Sequence, residues 1–143
     1  MYAKIENGKV IRCPYNIGRL YNDNPNTSFP KVLSVELLEQ YGVVTVEEVA
    51  TPKHNNNTHR VSSSARKVNN AWVQIHTIEE LPVDIATHNI KARRNQLLAA
   101  TDWRFRSDMS PSQAWVNYSQ ALRDITEQEG YPYAVEWPTE PAQ

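Results

Sequence analysis

A chain of 143 residues has room for one ordinary domain, or for a small β-rich head joined to a helical tail, and can bury only a modest core. Its 40% hydrophobic and 22% charged residues are typical of soluble globular proteins, and no apolar run approaches the ~20 residues needed to cross a bilayer. The formal net charge of -1 excludes a general attraction to nucleic acid or to anionic membranes.

The chain opens with a predicted β-hairpin. Asn7 and Gly8 favour the positive φ angles of a tight type I′ turn, and residues 2–5 and 9–12 flank this turn with strand propensity. The following segment, residues 14–30, is rich in Asn, Pro and Tyr and has little regular apolar spacing. It therefore predicts a long connection between regular elements.

A short helix and a strand complete the predicted head. Ser34 can cap a helix that Gly42 would end, with Val35 and Leu38 facing inward. Residues 43–49 are mostly β-branched and predict a strand that adds to the opening hairpin.

The composition changes between residues 51 and 64, where Pro52 precedes three consecutive asparagines and three consecutive serines. Such a stretch predicts an exposed polar linker, so we place a domain boundary here. The predicted domains are a small α+β head over 1–50, the linker over 51–64, and a β-hairpin plus helical-hairpin region over 65–143. This last region opens with a second predicted hairpin around Asn69 and Asn70, because asparagine tolerates the left-handed turn conformation.

The apolar spacing becomes helical after Pro82, and an amphipathic helix is predicted over residues 84–100. A second helix is expected to begin with Ser110 as the N-cap, Pro111 in the first turn and Gln113 returning the capping bond.

One face of the second predicted helix carries an apolar stripe formed by Trp115, Tyr118, Leu122 and Ile125. The proline-containing tail from residue 130 is expected to leave the helix as an extended aromatic segment. The predicted fold class is therefore α+β, with a small β-rich N-terminal head, a second β-hairpin, and a C-terminal antiparallel helical hairpin with an extended aromatic tail.

The sequence contains no recognisable catalytic or metal-binding motif. His54 and His59 lie in a polar stretch, whereas a closed zinc site needs about four ligands. The adjacent acidic pairs and the serine run lack the context of a general acid, a general base or a hydrolase nucleophile. The sequence therefore predicts a protein that is not an enzyme, with no catalytic residue, no cofactor and no metal.

The basic and aromatic stretch over residues 93–106 suggests two kinds of partner. Cations can contact phosphates while aromatic rings stack on bases, which favours nucleic acid. The near-zero net charge and the acidic tail argue against it, and large aromatic side chains are enriched at protein interfaces. Trp115, Tyr118 and Leu122 could instead pack in a core, but a two-helix unit is too small to cover every aromatic residue of this region.

Four motifs follow one another in the C-terminal third: RNQLLAATDW at 94–103, WVNYSQALRDI at 115–125, GYP at 130–132 and WP at 137–138. In order and spacing this pattern resembles the phage tail-fibre assembly proteins, also called tail assembly chaperones. The family often has aspartate at the position of Asn95, arginine at Ser119, proline at Thr126 and phenylalanine at Tyr131. These departures remove no apolar anchor and put in question which fibre is recognised.

The resemblance implies a non-enzymatic chaperone that binds the distal, C-terminal part of a tail-fibre protein, expected to be trimeric, and assists its folding and trimerisation. An alternative is a structural accessory subunit that remains on the fibre in the mature virion, and a second alternative is a basic-aromatic nucleic-acid-binding module. The candidate partner-binding residues are Arg93, Arg94, Leu97, Leu98, Trp103, Trp115, Tyr118, Leu122, Arg123, Tyr131, Tyr133 and Trp137. Residues 1–6 lack the basic and apolar segments of a signal peptide, so we expect the host cytoplasm during assembly, with retention in the virion tail under the accessory alternative.

Overall fold

The computed structural model describes residues 1–142 as a mixed α+β protein with five strands, four helices and two 3₁₀ helices. The strands are β1 (Tyr2–Glu6), β2 (Lys9–Arg12), β3 (Val43–Glu47), β4 (His59–Val68) and β5 (Ala71–Glu80). The helices are α1 (Gly18–Asp23), α2 (Val35–Gln40), α3 (Val83–Thr101) and α4 (Gln113–Arg123), and the 3₁₀ helices are Asp102–Phe105 and Asp124–Glu127. Within residues 1–142, no helix has the length and apolar character needed to span a membrane.

The strands form one five-stranded sheet in the order β2-β1-β3-β5-β4. The predicted addition of the third strand to the opening hairpin is confirmed, because β3 pairs antiparallel with β1 and aligns Val44 with Ala3. β3 also pairs with β5 in the parallel direction, through Val46 opposite Trp72 and Glu47 opposite Val73. Local sequence patterns had not predicted this parallel contact.

Both predicted hairpin turns are confirmed. Asn7 and Gly8 have φ angles of 50° and 74°, and Asn69 and Asn70 have φ angles of 45° and 67°. Two successive positive φ angles are the signature of the type I′ turn, whose twist matches that of the flanking strands.

The predicted connection over residues 14–30 was partly wrong, because it contains α1. This short helix buries Leu20. At its start, the side chain of Asn16 accepts a hydrogen bond from the backbone N–H of Gly18 at 2.8 Å. A helix of this length has too few apolar positions for its period to be visible in the sequence.

The helix predicted after Ser34 is confirmed as α2, and the Ser34 hydroxyl accepts a hydrogen bond from the Leu37 N–H at 3.2 Å. Gly42 follows it with a φ of +66°, as expected for a residue that ends a helix. The expectation that Val35 faces inward was wrong, because its side chain is 54% exposed while Leu38 is buried. A six-residue helix has a single inward face, and Leu38 occupies it.

The linker predicted over residues 51–64 is shorter than expected, because β4 begins at His59. Two of the three serines of this strand have side-chain partners on β5: Ser62 donates to the carbonyl of Thr77, and Ser63 lies 3.0 Å from Nδ1 of His76. The polar composition of residues 59–64 therefore led to the prediction of a linker where the chain forms the first part of β4. The predicted division into domains stays a prediction.

The chain forms two compact units. Unit 1 comprises Met1–Lys53 and Val61–Ile78. It has one apolar cluster around Tyr15, Leu20, Leu38 and Val43, and another around Ala3, Val46 and Ala65.

Unit 2 comprises His54–Arg60 and the chain from Glu79 onward. Its core joins α3 to α4 through Ile90 on the first helix and Trp115, Tyr118 and Leu122 on the second. The predicted helix over 84–100 is thus confirmed as α3. That the two helices run antiparallel stays a prediction.

The predicted start of the second helix was wrong. Ser112, not Ser110, is the N-cap of α4, and its carbonyl accepts hydrogen bonds from the N–H groups of Trp115 and Val116 at 3.0 and 3.1 Å. Residues 109–112 instead line a cavity beside Arg104 and Trp115. Their tertiary position therefore outweighs the local capping signal.

Candidate functional site

The apolar stripe of α4 is buried inside unit 2. Trp115 and Tyr118 are 4% and 5% exposed, while Leu122 and Ile125 are fully buried. The Trp115 and Tyr118 rings meet edge to face with centroids 5.7 Å apart, a favourable arrangement for two aromatic rings. Core packing is therefore one role of these side chains, as the sequence had allowed.

The segment after α4 lies over this core. Tyr131, Val135 and Trp137 pack against it as half-buried side chains. The amide of Gln128 clamps the segment at Glu136: its Nε2 donates to the Glu136 carbonyl at 2.9 Å, and its Oε1 accepts from the Glu136 N–H at 2.8 Å. Residues 135–142 form neither helix nor strand, so side-chain contacts hold them in place.

Two neighbouring tyrosines of this segment differ in how their hydroxyls are used. The Tyr133 hydroxyl donates to the carbonyl of Leu81 at 2.7 Å, and its ring meets the His59 imidazole edge to face. The Tyr131 hydroxyl is buried and has no hydrogen-bond partner within residues 1–142.

The basic side chains of unit 2 contact aromatic rings. The Arg93 guanidinium lies 4.7 Å from the Trp137 ring centroid. The Arg104 guanidinium lies against two tryptophan rings, 4.4 Å from the ring centroid of Trp103 and 3.7 Å from that of Trp115. A cation over an aromatic face is attracted by the negative charge density of the ring.

A cavity of about 390 Å³ lies beside Arg104. Its lining includes Met109, Ser110, Pro111, Ser112 and Trp115. Four large apolar side chains from residues 103–116 remain exposed in this part of unit 2, and we call them the exposed apolar set. They are Trp103, Phe105, Met109 and Val116, with exposures of 43, 39, 43 and 38%.

The predicted partner-binding residues therefore fall into three groups. Those buried in the core are Trp115, Tyr118 and Leu122. Those half-buried are Arg94, Leu97, Leu98, Tyr131, Tyr133 and Trp137. Those exposed are Arg93, Trp103 and Arg123. Their contact with a partner stays a prediction.

Arg104 and Phe105 entered the sequence analysis only as part of the basic and aromatic stretch over residues 93–106, and neither they nor Met109 were among the predicted partner-binding residues. The adjacency of Trp103 and Arg104 was visible in the sequence, but no local pattern could show that the Trp115 ring also contacts the guanidinium. Among the described residues, no group of three or more His, Cys, Asp or Glu side chains is placed to hold a metal ion.

Comparison with known proteins bears on this C-terminal region. A family model described as phage tail assembly chaperone protein matches residues 87–142, which contain most of α3, all of α4 and the segment that follows. The resemblance found in the sequence motifs is thus confirmed for this region. No curated protein and no solved structure matches the chain.

Proposed function

We propose that this protein is a non-enzymatic assembly chaperone that binds the distal, C-terminal part of a phage tail-fibre protein and assists its folding and trimerisation. The observation that carries the proposal is the match of residues 87–142 to the phage tail assembly chaperone family. The fibre as the partner, and trimerisation as the assisted step, go beyond the match: they are what the resemblance of the sequence motifs implies, and the surface chemistry of unit 2 is compatible with them.

A fibre subunit has a physical need for such a chaperone. Before three chains interlock, each exposes strand edges and apolar surface, and such intermediates aggregate. The exposed apolar set offers Trp103 and Phe105 to a partner, and large aromatic side chains contribute strongly to binding when they are desolvated. Binding alone would shield the fibre, so this role requires no catalytic residue.

Charge would orient the complex. Arg93 and Arg123 are exposed, and Arg94 is half-buried with hydrogen bonds only to its neighbour Asn95 in the described chain. In this proposal the three guanidinium groups pair with acidic groups of the fibre and set the orientation of docking. Assembly would take place in the cytoplasm of the host cell.

Co-expression with the tail-fibre gene of the same genome tests this proposal. The soluble product is analysed by size-exclusion chromatography and mass determination, with the full-length chain and with a Trp103→Ala, Phe105→Ala double variant. We expect a stable complex with the full-length chain and a loss of soluble trimeric fibre of about tenfold or more with the double variant.

Val32→Ala is the matched control, because Val32 is also an exposed apolar residue, 81% exposed, but lies in unit 1. It should leave the fibre yield unchanged. Equal yields of soluble trimeric fibre with and without the full-length chain, together with no co-migration, would overturn the proposal.

The accessory alternative differs in how long the complex persists. A transient chaperone is absent from purified virions, whereas an accessory subunit stays in fixed proportion to the fibre. Quantitative mass spectrometry of purified particles distinguishes the two, and we expect the chain to be absent.

A further inference from the structure

The guanidinium of Arg104 lies against two aromatic rings, yet its N–H donors have no acceptor among residues 1–142. Its central carbon is 4.4 Å from the ring centroid of Trp103 and 3.7 Å from that of Trp115. Within residues 1–142, the Arg104 guanidinium forms no salt bridge and no hydrogen bond. A contact between a guanidinium and an aromatic ring uses none of the five N–H donors that the guanidinium carries in its plane. The edge of Arg104 is thus ready to receive an acceptor.

The surroundings of this edge favour an anion. Arg104 is the charged residue among those that line the adjoining cavity of about 390 Å³, where Ser110 and Ser112 contribute hydroxyl groups. Ser112 is also the N-cap of α4, and its side chain makes no capping bond. The start of an α-helix carries partial positive charge, which adds to that of Arg104.

The apolar part of the lining restricts what kind of anion fits. Met109 and Pro111 line the cavity beside the Trp115 ring, and Trp103 is 43% exposed. A bare inorganic ion would leave these surfaces in water. A carboxylate on an otherwise apolar segment would satisfy the guanidinium and cover the apolar lining together.

We propose that this cavity binds an aspartate or glutamate side chain of the tail-fibre protein, flanked by apolar residues, with Arg104 as the carboxylate-binding residue. This inference rests on the proposed function and adds the chemistry of the segment that is recognised. Planar, two-point hydrogen bonding between a guanidinium and a carboxylate gives both strength and geometric selectivity. Contact with the two tryptophan rings holds the guanidinium beside the cavity.

Ser112→Asp gives the most direct test, because it adds a competing carboxylate without removing a packing group. Aspartate is among the best N-cap residues, so the thermal midpoint should stay the same or rise. The new carboxylate occupies the cavity lining and repels the partner's carboxylate. In titration calorimetry with purified tail-fibre protein, we expect the dissociation constant to rise by about tenfold or more.

Ser112→Asn is the matched control. Asparagine is an equally good N-cap of nearly the same shape but carries no charge, so affinity should change by less than about twofold. Arg104→Gln should weaken binding as Ser112→Asp does, while Arg106→Gln, which removes a charge from an exposed position two residues away, should not.

The possible outcomes distinguish a failure of the carboxylate site from a failure of the proposed function. If the unaltered chain binds the fibre and Ser112→Asp binds it equally well, the carboxylate site is overturned and the proposed function stands. If the unaltered chain does not bind the fibre, both are overturned. Binding of a single-stranded oligonucleotide that is lost in Ser112→Asp would assign the cavity to nucleic acid and overturn the inference.

Discussion

At the scale of single residues, the clearest contrast is between Tyr131 and Tyr133. Both lie in the segment that covers the core of unit 2, and both are half-buried. The Tyr133 hydroxyl has an acceptor at 2.7 Å, whereas the buried Tyr131 hydroxyl has none within the described chain. A buried polar group without a partner costs free energy, because it gives up its hydrogen bond to water and gains nothing in return.

Removing each hydroxyl should therefore shift stability in opposite directions. Tyr131→Phe should raise the free energy of unfolding by about 1 kcal/mol, and Tyr133→Phe should lower it by about 1 kcal/mol. Urea unfolding followed by tryptophan fluorescence measures both. A loss of stability in Tyr131→Phe would show that its hydroxyl has a partner.

At the scale of elements, the fixed course of the tail depends on a turn at Gly130. The Gly130 carbonyl accepts a hydrogen bond from the Ala134 N–H at 2.7 Å. A Cβ added at Gly130 would overlap the Ala134 carbonyl oxygen and lie 2.8 Å from the Ala134 Cβ. The first of these is a backbone atom that cannot move aside without opening the turn.

Gly130→Ala should accordingly destabilise the protein by about 1–3 kcal/mol, the usual cost of forcing extra atoms into a packed site. Gly18→Ala is the control, because the nearest atom to its added Cβ is a side-chain oxygen of Asn16 at 3.2 Å. The control should be neutral or slightly stabilising, since alanine favours a helix. Thermal unfolding of the two variants compares them, and equal midpoints would contradict the steric argument.

At the scale of the whole molecule, each unit contains one buried phenol whose ionisation is disfavoured. Burial raises the pKa of Tyr118 above its ordinary value of 10.0, and the negative charge of Glu140 raises it further. Burial raises the pKa of Tyr15 as well, with additional contributions from its hydrogen bond to Asp23 and from the Asp23 charge. The folded chain therefore holds these protons more tightly than the unfolded chain.

The sign of the pH dependence follows from proton linkage. Well below the ordinary pKa of 10.0, both phenols are neutral in the folded and unfolded states, and their contribution to the free energy of unfolding is constant. As the pH rises further, the unfolded chain loses these protons first, so the free energy of unfolding falls. Urea unfolding between about pH 8 and 11 should show this fall, and it should be smaller in a Tyr15→Phe, Tyr118→Phe double variant. The same fall in the double variant would contradict the assignment.

Local sequence patterns determined much of this protein. They identified both asparagine-containing turns, the cap of α2 at Ser34, the extent of α3, and the buried stripe from Trp115 to Ile125. They also carried the family resemblance of the C-terminal region. These features were predictable because backbone preferences, caps and apolar periods act between residues close in sequence.

The tertiary structure alone decided the remaining features. Three features depend on residues that are distant in sequence or on the packing around them. They are the parallel contact of β3 with β5, the start of α4 at Ser112, and the contact of Arg104 with both Trp103 and Trp115. Local propensities cannot determine such contacts, because their free energy comes from surfaces that meet only after the chain has folded. For this reason the motifs pointed to the C-terminal region, while the packing of unit 2 determined which of its side chains remain available to a partner.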